Sequence, residues 1–198
     1  MSVISSRTQL ADVPEEYVRE LAAALGEDVE VTTRALDRFA IAIDASHYLA
    51  VPQALARPRT AHQVGMAMAL AVRSGWPLTF RSGGTSLSGQ AFSRGLTLDV
   101  RRHFRDIEIL DAGQRVRVQP GATVRQVNAR LAKYHTKLGP DPASEIACTI
   151  GGMIANNSSG MTCGTTANTY RTIDSMVIAL PSGTVIDTAS PKAGEVLA

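Results

Sequence analysis

Two segments rich in glycine and small hydroxyl residues carry the chemistry this chain offers. One is Arg81-Ser82-Gly83-Gly84-Thr85-Ser86-Leu87-Ser88-Gly89-Gln90, and the other is Cys148-Thr149-Ile150-Gly151-Gly152-Met153-Ile154-Ala155-Asn156-Asn157-Ser158-Ser159-Gly160. Neither contains a lysine or an acidic residue. Glycine reaches φ > 0 and has no side chain to bar close approach, so such a segment can wrap its backbone N–H groups around a phosphate. A single segment of this kind is a weak signal. Two of them, each beside a strand-like run, point to a long ligand with a diphosphate gripped from two sides.

The first segment fails two familiar nucleotide motifs. Gly84 and Gly89 have Walker A spacing, but Gln90 and Ala91 stand where Lys and Ser/Thr would serve phosphate and Mg²⁺. The G-x-G-x-x-G spacing of a Rossmann turn is absent, and no acidic residue follows at the distance a βαβ unit requires. What remains is a metal-free diphosphate cradle, in which Thr85, Ser86 and Ser88 add hydroxyl donors to the amides near Gly83 to Leu87. A plain glycine-serine surface loop is the competing reading.

Bulk properties narrow the partners. The net charge is +2 with scattered basic residues, and aromatic content is 5%, so a nucleic-acid surface is not expected. Arg101, Arg102 and Arg105 read as a solvated edge. No apolar run is long enough to span a bilayer, and the polar stretch Met1 to Gln9 lacks a signal-peptide core. Cys148 and Cys163 make neither a disulfide framework nor a metal site. The expectation is a cytoplasmic chain, at most peripheral to the inner membrane. His47, His62, His103 and His135 pair with no motif residue, and no catalytic residue or metal ligand is assigned. Cys148 reads as a buried small hydrophobe and Cys163 as a loop thiol. Trp76 and Phe80 read as core.

The segments need elements to hold them. Asp12 to Glu15, Thr60 to Gln63 and Thr123 to Gln126 each have capping-box spacing, which predicts helices over 13–25, 61–74 and 124–134. Gly26 and Gly75 fall where C-terminal glycines belong. Strands are expected at Tyr48–Val51, Leu78–Arg81, Leu96–Val100, Ile107–Asp111, Val116–Gln119, Met176–Leu180 and Thr184–Asp187. The turns Asp111-Ala112-Gly113-Gln114 and Pro181-Ser182-Gly183 make two hairpins. The order predicts an α+β chain: a helical segment over 1–44, a small α/β subdomain over about 45–104, and a mixed, largely antiparallel subdomain over 105–190. Residues 191–198 read as the start of a linker to a further part.

These marks together resemble the FAD-binding domain of the FAD-linked oxidase family, of the vanillyl-alcohol oxidase or p-cresol methylhydroxylase type. The resemblance rests on the Arg81–Gln90 loop after a strand, Val51-Pro52, Pro58-x-Thr60, Pro120-Gly121-Ala122, Gly139-Pro140-Asp141-Pro142, Ile150-Gly151-Gly152 with Asn157 and Gly160, and Tyr170-Arg171 with Asp174. Within the family the chain most resembles bacterial D-lactate and D-2-hydroxyglutarate dehydrogenases that carry an iron–sulfur domain.

The likeness implies a fold of two subdomains with FAD extended between them. It implies cofactor contacts from Arg81 through Gln90 and from Pro140, Asp141, Thr149, Gly151, Gly152, Asn156, Asn157 and Gly160. Ile173 and Val177 would lie along the adenine or ribose. Asp141 is expected to fix loop geometry, since its charge would repel a phosphate. Relatives with covalent flavin often have His where Thr85 stands, so non-covalent FAD is implied. The full-length protein would oxidise a D-2-hydroxyacid to the 2-oxoacid. The substrate groups, and any iron–sulfur cluster, would belong to a domain after Ala198. The chain alone is then expected to bind FAD weakly or not at all, and not to turn over D-lactate. Alternatives are a UDP-N-acetylenolpyruvoylglucosamine reductase-type flavoenzyme on the same fold, a non-catalytic flavin-binding module, and a plain structural α/β domain.

Overall fold

In the computed structural model, which describes residues 14–197, the helices at 61–74, 124–131, 150–155 and 169–172 begin at a side chain that accepts one of the first free N–H groups. The first helix, α1 (Glu15–Leu25), buries one stripe at fourfold spacing, Tyr17, Leu21 and Leu25. Its expected cap, Asp12, lies outside the described residues. A short strand β1 (Glu30–Thr32) and helix α2 (Ala35–Phe39) follow. Next come β2 (Ala54–Arg57), α3 (Ala61–Ser74), β3 (Leu78–Arg81) and β4 (Leu96–Asp99). Thr60 and Gln63 close a reciprocal capping box at the start of α3, and Gly75 ends it in the left-handed region. The alternating pattern within α3 is therefore carried by a helix, with Val64, Ala67, Leu70 and Ala71 buried.

The sheet order is β1-β2-β4-β3. Strands β2, β4 and β3 run parallel, while β1 pairs antiparallel with β2. Every residue of β2 and β4 is buried, as expected for parallel strands covered on both faces. Leu21, Ala54, Ala56, Ala67, Leu70, Leu96 and Leu98 form the core of this half. The strand expected at Tyr48–Val51 is corrected by the structure. Leu49 makes one isolated bridge to Ile43, and the strand lies later, at Ala54–Arg57. Phe80 is corrected as well: it is 41% exposed, whereas Trp76 packs against the core as expected.

The second half starts with a hairpin of β5 (Ile107–Leu110) and β6 (Arg115–Val118). Helix α4 (Val124–Leu131) has its own capping box from Thr123 and Gln126, and a 3-10 turn extends it to Tyr134. Two short helices follow, α5 (Ile150–Ala155) and α6 (Thr169–Thr172). A second hairpin joins β7 (Val177–Ala179) to β8 (Val185–Asp187). The turn between them closes with the Gly183 N–H donating to the Leu180 carbonyl at 2.9 Å. Within the stretch expected to be linker lies the helix α7 (Ala193–Leu197). Val124, Val127, Leu131, Cys148, Ile150 and Met153 make a second core.

The two halves meet where α3 crosses the β7–β8 turn. A β-carbon on Gly65 would stand 2.7 Å from the Gly183 carbonyl oxygen, so only glycine lets the helix backbone touch the turn. Gly65→Ala is expected to push these elements apart and to cost about 1–3 kcal/mol, the usual range for overpacking. A thermal melt of the chain checks this, and a melting temperature equal to wild type would show that the contact is not tight.

Candidate functional site

The Ser82–Gln90 loop leaves the sheet at the carboxyl ends of two parallel strands, where ligand crevices of open α/β sheets form. The Val100 N–H donates to the Arg81 carbonyl at 3.0 Å, which holds the ends of β3 and β4 together under the loop. Beyond that point the N–H groups of Gly83, Gly84, Thr85, Ser86 and Leu87 donate to no protein acceptor among the described residues. A run of unspent amides is the donor set that an anion needs. Gly84 has φ +67° and Gly89 φ +74°. The Ser86 hydroxyl is used inside the loop: it accepts the Ser88 and Gln90 N–H groups at 3.2 Å each and donates to Gln90 Oε1 at 3.1 Å. Thr85 is half-buried, and Leu87, Ser88 and Gln90 are exposed.

The loop is held from behind by residues outside the glycine segments. The Ala45 N–H donates to the Gly84 carbonyl at 3.0 Å. Arg81 Nη1 donates to the Ile41 carbonyl at 3.4 Å, and its guanidinium occupies the space a Gly84 side chain would need. Burial pulls the Arg81 pKa down, partly offset by the nearby carboxylates of Asp44 and Asp99. Sequence reasoning missed this support. The only local signal is Asp44-Ala45-Ser46, where Asp44 Oδ1 accepts the Ser46 N–H at 2.8 Å in an Asx-turn pattern.

Ser82 and Thr149 join the two segments through a hydroxyl–hydroxyl hydrogen bond of 2.6 Å. Thr149 is 1% exposed. Next to this pair, a β-carbon on Gly83 would collide with the Ala147 carbonyl oxygen. Thr149 also caps α5, accepting the Gly152 N–H. The second segment is thus a helix from Ile150 onward. The Ile150 and Gly151 N–H groups donate to the Ala122 and Pro120 carbonyls, each at 2.9 Å. Its leading amides are spent on the protein, unlike those of the first loop. The unspent amides therefore sit in the first segment, and the second packs beside it.

Further along, Pro140 is buried and Asp141 is tied to Thr162, accepting its N–H at 3.1 Å and its hydroxyl. Gly160 lies against the Asp141 backbone and carboxylate. The Thr162 hydroxyl bond, assisted by the Thr162 and Cys163 N–H groups, holds the Asp141 carboxyl below its ordinary range. Asn156 Nδ2 donates to the Gly152 carbonyl at 3.1 Å, and Asn157, at φ +46°, accepts the Tyr170 N–H at 3.0 Å. Ile173 ends α6 and Val177 opens β7. No hydrogen bond among the described residues joins either of them to the glycine segments. Cys163 is buried, with Sγ 3.3 Å from the Gly164 carbonyl oxygen. Burial also pushes the Cys148 thiol up. Among the described residues no cluster of His, Cys, Asp or Glu has the composition of a metal site.

The residues present fit a dinucleotide flavin cofactor: unspent amides for the diphosphate, no acidic side chain within the cradle, and a buried joint that fixes a second segment beside it. This is the architecture of a p-cresol methylhydroxylase-type FAD-binding fold. The chain aligns over 99% of its length with an alkyldihydroxyacetonephosphate synthase, at TM-score 0.76 and 19% identity, covering 40% of that chain. It aligns over 84% of its length with 6-hydroxy-D-nicotine oxidase from Arthrobacter nicotinovorans, at TM-score 0.72 and 25% identity, covering 37% of that chain.

The chain belongs to the FAD binding domain family, whose model matches residues 52–189. It is 35% identical over 120 residues to the glycolate oxidase subunit GlcD of Escherichia coli strain K12, a match covering 60% of this chain and 24% of that protein. It is 30% identical over 173 residues to the D-2-hydroxyglutarate dehydrogenase of Pantoea ananatis, covering 85% of this chain and 17% of that protein. The chain thus spans a quarter or less of these curated relatives. Among the described residues no helix is long and apolar enough to cross a membrane.

Two outcomes follow from the site's geometry. Gly83→Ala should separate the loop from Ala147, lowering the melting temperature and loosening both segments, and equal amide exchange in the two proteins at 82–90 and 148–156 would count against it. The Asp141 carboxyl should titrate below its ordinary value of 3.8, and Thr162→Ala should raise it. With a depressed folded-state pKa, the contribution of Asp141 to stability is complete above 3.8 and is lost as the pH falls through the lower folded value. An NMR titration of the carboxyl reads both effects, and an unshifted wild-type value would contradict them.

Proposed function

We propose that this chain is the FAD-binding part of a dehydrogenase that oxidises a D-2-hydroxyacid to its 2-oxoacid, with FAD held non-covalently. The observation that carries the reading is the run of unspent N–H groups from Gly83 to Leu87 beside the Ser82–Thr149 joint. The substrate class is supported by the D-2-hydroxyglutarate dehydrogenase relative, whose match extends over most of this chain. FAD held here would supply the acceptor for the hydride, which carries both electrons lost by the hydroxyacid.

The chain's own share is binding and orientation. The 83–87 amides and the Thr85 and Ser88 hydroxyls take the diphosphate without a metal, since Gln90 and Ala91 offer no Mg²⁺ ligand of the Walker A kind. Ser82 and Thr149 set the spacing between that grip and the α5 region. Gly151, Gly152, Asn156, Asn157 and Gly160 form the wall along the flavin and ribityl side, with Pro140 and Asp141 fixing its far end. Ile173 and Val177 lie along the adenine or ribose. Thr85 has no ring nitrogen with which to form a histidyl link, so the flavin stays free. Residues that hold the hydroxyacid and take its hydroxyl proton belong to the longer protein, and so does turnover.

Titration of the purified chain with FAD, followed by flavin fluorescence, tests the reading. Weak saturable quenching is expected, and acid precipitation should leave all the flavin in the supernatant. Gly84→Val, which places a branched side chain at φ +67° and against Arg81, should abolish the quenching. Flavin that stays with the precipitated protein would refute non-covalent binding. Equal quenching by wild type and Gly84→Val would refute the loop as the diphosphate site.

A further inference from the structure

Two arginines end parallel strands of the first half, and the fold uses them differently. Arg57, at the end of β2, is buried and is shared among Glu30, Asp37 and Asp99. Arg81, at the end of β3, is half-buried, and no carboxylate among the described residues forms an ion pair with it. Asp99 stands opposite Arg81 in the β3–β4 ladder, yet its Oδ1 takes the Arg101 N–H at 2.9 Å and its Oδ2 lies 3.7 Å from Arg57 Nε. Among the described residues, the guanidinium of Arg81 has one protein acceptor, the neutral Ile41 carbonyl, 3.4 Å from Nη1.

That guanidinium lies against the glycine loop. A β-carbon on Gly84 would stand 2.5 Å from Arg81 Cζ. Two bond lengths add at most about 3 Å, so the charge is within about 6 Å of the Gly84 nitrogen, whose N–H is unspent. Taking a charge out of water costs free energy unless a partner offsets it. Arginine bears this best, being weakly hydrated and always protonated. The loop has no lysine, but it has this one cation against its amides, and the cation lacks an anion. We propose that Arg81 is the counter-charge of the loop: from beside Gly84 its guanidinium attracts the dianionic diphosphate that the 83–87 amides orient. The inference rests on the reading of that loop as the FAD diphosphate site, and inorganic pyrophosphate separates the two.

Pyrophosphate is titrated into the isotope-labelled 198-residue chain and followed by NMR at the 83–87 amides and at Arg81 Nε–H. In the wild type both sets of signals should shift along one binding curve, and the affinity should fall as salt is raised, because a partly exposed charge is screened. Arg81→Gln keeps a donor for the Ile41 carbonyl and removes the charge. Its pyrophosphate affinity should be about tenfold lower and less sensitive to salt. Arg81→Lys keeps the charge and should retain most of the affinity and its salt dependence, and FAD quenching should rank the three proteins in the same order. A purely structural prop would make lysine fail as badly as glutamine, and that result would overturn the proposal. So would equal pyrophosphate affinity in wild type and Arg81→Gln, or a wild-type affinity that ignores salt. If Arg81→Gln melts well below wild type, the wild-type salt profile and Arg81→Lys decide the matter. Pyrophosphate binding that depends on Arg81, in a chain that does not bind FAD, would refute the cofactor reading and leave the counter-charge standing. No shift at 83–87 would overturn both.

Discussion

The close approach of Gly83 to the Ala147 carbonyl, sealed by the Ser82–Thr149 hydroxyl pair, is the constraint on which the site depends. It joins the end of a parallel strand in the first core to the start of a helix in the second. Thr149 serves both sides at once, since its oxygen bonds Ser82, caps α5 and sits at a bridge to Thr123, the cap of α4. The Cys148 carbonyl takes the Val124 N–H in the same place. Three elements, β3 with its loop, α4 and α5, are therefore registered against one another at a buried hydroxyl. A β-carbon at 83 would force the halves apart, and the free amides of 83–87 would lose their place beside α5.

The elements that declared themselves in the sequence are those whose signals are local. Thr60 with Gln63 and Thr123 with Gln126 fix helix starts through their own side chains, and both boxes form. The two hairpins follow from turn residues next to alternating strands. Strand β2 stayed hidden for a physical reason. Ala54-Leu55-Ala56-Arg57 lacks β-branched and aromatic residues and is buried on both faces, so neither propensity nor alternation marks it. Tyr48-Leu49-Ala50-Val51 has the better strand composition, yet Tyr48 and Leu49 are exposed and that segment braces a loop instead. Tertiary context decided both outcomes.

At the site, the free backbone of the first loop was legible because glycine and hydroxyl residues advertise backbone availability. The division of labour between the two segments was not. Ile150-Gly151-Gly152-Met153 carries two glycines, which weigh against a helix, but Thr149 caps it and the Pro120 and Ala122 carbonyls take its first amides. Only the fold brings those carbonyls there. The same holds for Asp44 and Ile41, which lie about 40 residues before Arg81 and carry no motif.

Charge around the first loop bears on a proposed cradle that has no lysine. The carboxylates of Asp44, Asp99 and Asp141 each accept a hydrogen bond from a backbone N–H. Asp99 accepts the Arg101 N–H at 2.9 Å and lies 3.7 Å from Arg57 Nε. Asp44 Oδ1 holds Ser46, and Asp141 holds Thr162. A carboxylate oxygen bonded to a fixed donor does not swing toward an incoming anion. Arg57, nearly buried, is in turn shared among Glu30, Asp37 and Asp99, so its charge is spent within the first core. What remains at the mouth of the loop is a row of amide dipoles, with Arg81 behind them. Amides carry no counter-charge that must be desolvated when the ligand leaves, and they take phosphate oxygens in fixed directions. That suits a cofactor bound by shape and released intact, and it fits a loop in which position 85 is threonine.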